Sequence, residues 1–220
     1  MKRPKNAAER QARVSEILRL LKKMYPGATC ALRHENPWQL LVATILSAQC
    51  TDKLVNEVTP VLFAKYPTPT DFASVRQEVL AQDVHRTGFF NNKAKSIIGA
   101  AKKVVAEFGG QVPRTMEEML TIPGAARKTA NVVLGTAYGI ASGVVVDTHV
   151  QRLAARLDLT KNTNPVKIEQ DLMKIVPQNT WILFSHELIL HGRALCQARN
   201  PKCSTCDLNS LCYAKDKALI

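Results

Sequence analysis

The sequence has no apolar run long enough to span a bilayer. Its longest uncharged stretch lies between Lys128 and Asp147, short of the roughly 20 residues a spanning helix needs, and it holds Asn131, Thr136 and Ser142. Gly135, Gly139 and Gly143 imitate a membrane dimer motif, but the stretch is too polar and glycine-rich for one. A secretory leader is not visible either. The basic N-terminus is interrupted by Glu9 and Glu16, and no apolar region follows. Internal repeats and strand-like alternation are missing too. These absences place the expected site of action inside the cell, without a membrane partner. Acidic residues are also scarce, 18 against 30 Lys plus Arg, for a formal charge of +12 over 220 residues. So basic a balance points to a polyanion. Residues 1–33 carry 9 basic and 2 acidic side chains.

What is present is helical periodicity. Val14, Ile17, Leu18, Leu21 and Met24 form one apolar stripe, ended by Pro26-Gly27. Asn36 followed by Pro37 predicts a helix start, and Leu40, Leu41 and Ile45 continue it. Further helices are expected over 52–65, from an Asp71 cap, over 92–108 with Gly109-Gly110 as its stop, and behind a Thr115/Glu118 capping box. Others are expected over 125–138, after Asp147, and over 165–175 and 180–191. Val144–Val146 is the one extended run, and it has no partner. The fold class is all-α.

Two constellations carry chemistry. In the first, Leu120-Thr121 meets Ile122-Pro123-Gly124-Ala125-Ala126, and a helix begins at Arg127-Lys128-Thr129-Ala130. Backbone N–H groups at such a start lack internal partners and suit a phosphate. An ordinary helix corner is an equally good reading of the spacing. Lys128 stands in the first turn beside Arg127, where the helix dipole and the neighbouring cation disfavour its protonated form. A lysine so placed is a competent amine nucleophile; a solvated phosphate contact is the plainer alternative. Asp147 reads first as a helix cap and second as a carboxylate able to steady a cationic sugar.

The second constellation is Cys196-x6-Cys203-x2-Cys206-x5-Cys212, four of the six cysteines within 17 residues. Four thiolates bind Zn²⁺ or a [4Fe–4S] cluster, and a single CxxC pair flanked by lone cysteines favours the cluster over zinc's usual two pairs. Arg199 and Lys202 lie in the first inter-cysteine loop. Cys30 and Cys50 read as small buried hydrophobes.

Both constellations, with Leu46–Asp52, Thr87–Ala94, Val146–His149 and His191-Gly192-Arg193, resemble the endonuclease III family of DNA glycosylases over about residues 10–213. The resemblance implies a six-helix barrel with a helix-hairpin-helix over 33–145. A discontinuous iron–sulfur domain over 1–32 and 146–220 would complete the fold, with DNA held in a cleft. It implies a bifunctional glycosylase and abasic-site lyase of base excision repair that removes oxidised pyrimidines. Lys128 would be the nucleophile and Asp147 the supporting carboxylate. Cys196, Cys203, Cys206 and Cys212 would hold a [4Fe–4S] cluster. Gln49 and Phe89 would fill and wedge the duplex, and Ile122, Gly124, Ala126, Arg127, Arg199 and Lys202 would contact DNA. The expected partner is double-stranded DNA with oxidised pyrimidines or abasic sites. The protein would be a monomer in the reducing cytoplasm, associated with the nucleoid.

One departure stands out. The family hairpin usually reads Gly-x-Gly, whereas this chain has Gly124-Ala125-Ala126, so a methyl replaces hydrogen where backbone meets phosphate. Alternatives are a weakly active or non-catalytic DNA-binding paralogue, an adenine-mismatch glycosylase, and an iron–sulfur redox sensor. Lys128 and a chain ending at Ile220 speak against the mismatch enzyme.

Overall fold

The computed structural model describes residues 3–217, and among them every regular element is helical. The chain divides into two compact units. One comprises the residues up to Thr29 together with those from Gly143 onward; the other is Cys30–Ser142. The crossings therefore fall at 29/30 and 142/143, against the expected 32/33 and 145/146.

The central unit is built round α2 (Pro37–Leu46), whose residues are all buried except Pro37. A helix of nine consecutive buried residues can sit only at the middle of a core, and its sequence contains no charge. Asn36 caps it through Gln39 N–H. α2 packs against α3 (Asp52–Lys65), α6 (Phe90–Phe108) and α8 (Arg127–Tyr138). α4 (Pro69–Ser74) and α5 (Gln77–Asp83) cover α6, and α7 (Met116–Thr121) packs on α8. Leu40, Leu41, Phe72, Leu80, Ile97, Met119 and Leu134 are fully enclosed there.

Local chemistry sets the element ends. Asp71 is not the cap of α4. Thr68 is, accepting from Asp71 N–H, and Asp71 completes a capping box with Pro69 at the first helical position. Gly109, left-handed at φ +59°, stops α6. α6 starts at Phe90 rather than 92, and α8 at Arg127 rather than 125. Thr115 caps α7 by accepting from Glu118 N–H, and its hydroxyl donates to the Glu118 carboxylate.

The other unit contains α1 (Ala7–Met24), α9 (Thr148–Arg156), α10 (Pro165–Ile175) and α11 (Trp181–Ala194). α11 packs on both α1 and α9. Buried Arg13 of α1 donates to the carbonyls of Leu157 and Leu211, so one guanidinium fastens the helix to the end of α9 and to a turn beyond the cysteines Cys203 and Cys206. Val144–Val146 is buried and unpaired as a strand; the Val145 N–H donates instead to Ser185 Oγ on α11, at 3.0 Å.

Candidate active site and cysteine pocket

The turn between α7 and α8 is made by Gly124, at φ +81°. A Cβ there would stand 2.9 Å from Ser96 Cβ and 3.3 Å from Ile45 Cδ1, so both backbone sign and space demand glycine. Ala126 differs. It caps α8 at φ −67° and ψ 167°, an ordinary extended conformation, and offers no side-chain bond to the helix. The departure from Gly-x-Gly therefore carries no backbone strain. The first helical bond of α8 runs from Ala130 N–H to Ala126 O, which leaves the N–H groups of the first turn outside the helix ladder.

Lys128, second residue of α8, is exposed. Its ammonium has no hydrogen bond or ion pair among the described residues. Arg127 is half-buried. Ile122 is 3% exposed, its side chain part of the core and its N–H bonded to Met119 O. Ile122 anchors the turn from below.

Gln49, Phe89, Gly124 and Thr129 line one pocket. Gln49 follows the end of α2 and Phe89 precedes α6. Both are exposed, Phe89 by 61%, and both are left-handed, at φ +52° and +48°. A non-glycine residue held there costs on the order of 1–2 kcal/mol, a strain that clusters at functional sites.

In the other unit, Asp147 is half-buried and caps α9, its Oδ1 accepting from the N–H groups of His149 and Val150, each at 2.8 Å. The cap uses one oxygen. Gly192 of α11 lets His149 pack closely, since a Cβ there would meet His149 Nδ1 at 2.8 Å. Burial holds the His149 imidazole below its ordinary pKa.

The far end of α9 secures the cysteine loop. Arg152 donates to the carbonyls of Cys196 and Gly192. Arg156 donates to Gln197 O at 2.7 Å and to Cys196 Sγ at 3.3 Å. Cys196, Cys203, Cys206 and Cys212 are reduced, partly buried and arranged round one pocket whose other walls include Leu153, Leu157, Leu195 and Leu208. His191 stands between Tyr25 OH (2.9 Å from Nδ1) and Cys206 Sγ (3.4 Å from Nε2). Burial pushes the Cys206 thiol up to about 11 and the His191 imidazole down to about 4. Bare thiolates would be costly in such a pocket; a bound cationic iron centre would favour them. Among the described residues, no three His, Cys, Asp or Glu side chains converge closely enough to grip one metal ion. Arg199 and Lys202, in the cysteine loop, are exposed. The described helices include none long and apolar enough to cross a membrane.

Sequence reasoning missed Lys93, Arg152 and Arg156. All three act on backbone carbonyls distant in the chain, and nothing in local spacing marks such a bond.

A helix, a glycine turn and a second helix opening on Arg-Lys-Thr-Ala define a class. Residues 42–178 match the model of the HhH-GPD superfamily of base excision DNA repair proteins, and the chain belongs to the endonuclease III family within it. It is 58% identical over 205 residues to endonuclease III of Synechocystis sp., covering 93% of this chain and 94% of that one. Two solved structures superpose with a TM-score of 0.88 at 42% identity, covering 92% of this chain and 95% of theirs. One is a non-covalent endonuclease III–DNA complex, the other a trapped covalent endonuclease III–DNA intermediate.

Proposed function

We infer that this protein is a bifunctional DNA glycosylase and abasic-site lyase of base excision repair, with Lys128 as its nucleophile. The observation that carries the assignment of Lys128 is its placement: an exposed amine without an ion-pair partner among the described residues, in the first turn of the helix that follows the hairpin. Membership of a family in which a covalent DNA intermediate has been trapped supports the chemistry.

The reaction follows from an amine meeting an electrophilic sugar carbon. Unprotonated Lys128 Nζ attacks C1′ of an extruded nucleotide, the N-glycosidic bond breaks, and the base leaves with a proton. The resulting aminal opens to a Schiff base between Nζ and C1′. Loss of a C2′ proton then expels the 3′ phosphate by β-elimination, and hydrolysis of the imine frees the enzyme. Asp147 supports the positive charge that develops at the sugar and helps move the protons. One of its oxygens remains outside the cap bonds, so both duties fit one side chain.

DNA is the partner, held through phosphates by the N–H groups at the start of α8, by Arg127, and by the exposed Arg199 and Lys202. Extrusion costs a few kcal/mol of unstacking. Gln49 and Phe89 offset it by occupying the vacated space, the exposed ring stacking on bases. Oxidised pyrimidines and abasic sites are the substrates, the enzyme acting as a monomer beside the chromosome in a reducing cytoplasm.

Cys196, Cys203, Cys206 and Cys212 would hold a [4Fe–4S] cluster. Four thiols spread round a pocket, rather than converging on a point, suit ligands that bind separate irons. When bound, the cluster supplies a structural brace for the Arg199–Lys202 loop. Ala126, which had favoured a non-catalytic paralogue, loses that weight because its backbone is relaxed.

The test is borohydride reduction on a duplex with an abasic site. A covalent complex is expected from the wild-type protein and none from Lys128→Gln, which should still bind DNA. Trapping that survives the substitution would assign the chemistry to another amine.

A further inference from the structure

Lys93 is the one lysine of the described chain buried to 5% exposure. It lies in the first turn of α6 without a carboxylate partner among the described residues; its Nζ donates instead to two backbone carbonyls, Leu46 O at 2.8 Å and Thr87 O at 2.7 Å. Desolvation lowers its pKa from the ordinary lysine value. An ammonium is an expensive way to satisfy two carbonyls, so its position calls for a reason.

Each carbonyl marks the point where one loop departs. Leu46 is the last residue of α2, and Gln49 follows three residues on. Thr87 ends a 3-10 turn, and Phe89 follows two residues on, behind left-handed Gly88. The two strained, exposed residues thus spring from two loops pinned to a single nitrogen. Gln49, Phe89 and Lys93 border the same pocket, together with Gly124 of the hairpin. Left-handed residues persist only where their surroundings over-determine them, and Lys93 is the interaction that joins both surroundings.

We propose that Lys93 is a positioning residue for nucleotide extrusion: its ammonium fixes the Gln49 loop and the Phe89 loop to one another, so that the pair enters the duplex as a preset wedge. The proposal rests on the reading of Gln49 and Phe89 as gap-filling residues. It predicts that Lys93 matters when a base must be driven out of a stack and matters little when the sugar is already accessible.

Lys93→Met keeps the aliphatic stem and removes the donors. Two single-turnover rates are compared. One is excision from duplex DNA containing thymine glycol; the other is strand cleavage of a single-stranded oligonucleotide with a preformed abasic site. The duplex rate is expected to fall about tenfold or more, as two buried carbonyls lose their partner, while cleavage of the single strand stays within about threefold. Phe89→Ala should slow the duplex reaction as well, and on the duplex the double variant should be no worse than the poorer single, since both changes disable one device. Equal loss on both substrates would mean that Lys93 only holds the fold, and the proposal would fall. So would a duplex rate that is unchanged, or a double variant whose losses multiply. If Lys93→Met does not accumulate as folded protein, Lys93→Arg decides in its place, because its wider head spreads the two carbonyls and should give a smaller split of the same sign. Wild-type protein that cleaves neither substrate would refute the enzymatic reading instead, a result distinct from any of these.

Discussion

Gly124 and Ala126 flank one residue of the same turn, yet replacing each should have very unequal consequences. Gly124→Ala places a β-carbon on a backbone at φ +81°, which costs about 1–2 kcal/mol in the left-handed region. The same carbon would lie 2.9 Å from Ser96 Cβ, whose stem cannot swing away as a long side chain could. Overpacking of this kind adds about 1–3 kcal/mol. The total destabilisation is about 2–5 kcal/mol. Ala126→Gly meets neither difficulty, since φ is −67° and the residue is exposed. Its cost is chiefly the added freedom of the unfolded chain, about 0.4–1 kcal/mol. Urea unfolding of the cluster-loaded proteins, followed by far-ultraviolet circular dichroism, reads both values. A Gly124→Ala protein within about 0.5 kcal/mol of wild type would refute the reasoning, because surface substitutions without a structural cost fall in that range. So would an Ala126→Gly protein less stable than Gly124→Ala.

Asp147 separates into its two duties by substitution. Asp147→Asn keeps an oxygen for the N–H groups of His149 and Val150, so stability should hold while single-turnover excision slows; Asp147→Ala should slow excision and also cost about 1 kcal/mol of stability through the lost cap. Unchanged turnover in Asp147→Asn would leave the residue as a cap alone. Glu187, 2% exposed with Oε1 unpartnered, has its carboxyl pushed up to about 7 by burial, with Lys22 pulling weakly the other way. The folded state therefore retains a proton that the unfolded state releases near its ordinary value. The stability contributed by this group is complete below that ordinary value and is lost as pH rises through about 7. The loss is on the order of 3 kcal/mol. Glu187→Gln should remove that decline relative to wild type in melts between acid and mildly alkaline pH; parallel curves would contradict it. Purified protein should carry iron and acid-labile sulfide in equal amounts, and a Cys206→Ser protein should lose both; zinc in their place would overturn the cluster assignment.

Helix ends with a chemical signature were legible in the sequence. Asn36 before Pro37, Thr115 before Glu118, Gly109 and Asp147 all act as their residue types predict. α5 was not legible, because Arg76 precedes it without any capping side chain. α1 begins at Ala7, capped by Asn6, well before Val14, because its first residues are exposed on every side and show no apolar stripe. Asp71 looked like a cap because aspartate favours that position, but Thr68 with Pro69 behind it makes the better start. At the candidate site, residue types pointed to Lys128, Asp147 and the four cysteines, since their spacing to local signals is short. The left-handed backbone at Gln49 and Phe89 has no marker in a side chain. It arises from tertiary restraint, and the Lys93 bonds that contribute to it join residues 47 and 6 positions apart. The burial of the Ile122 side chain was equally illegible: a loop position gives no sign that its side chain turns into the core.

The most direct measurement is the identity of the amine that joins the sugar. Wild-type protein is reduced with borohydride on an abasic duplex, digested with protease, and the modified peptide sequenced by tandem mass spectrometry. The adduct is predicted on Nζ of Lys128. A deoxyribose remnant on any other lysine or on the N-terminal amine, or a failure to capture DNA at all, would contradict the account.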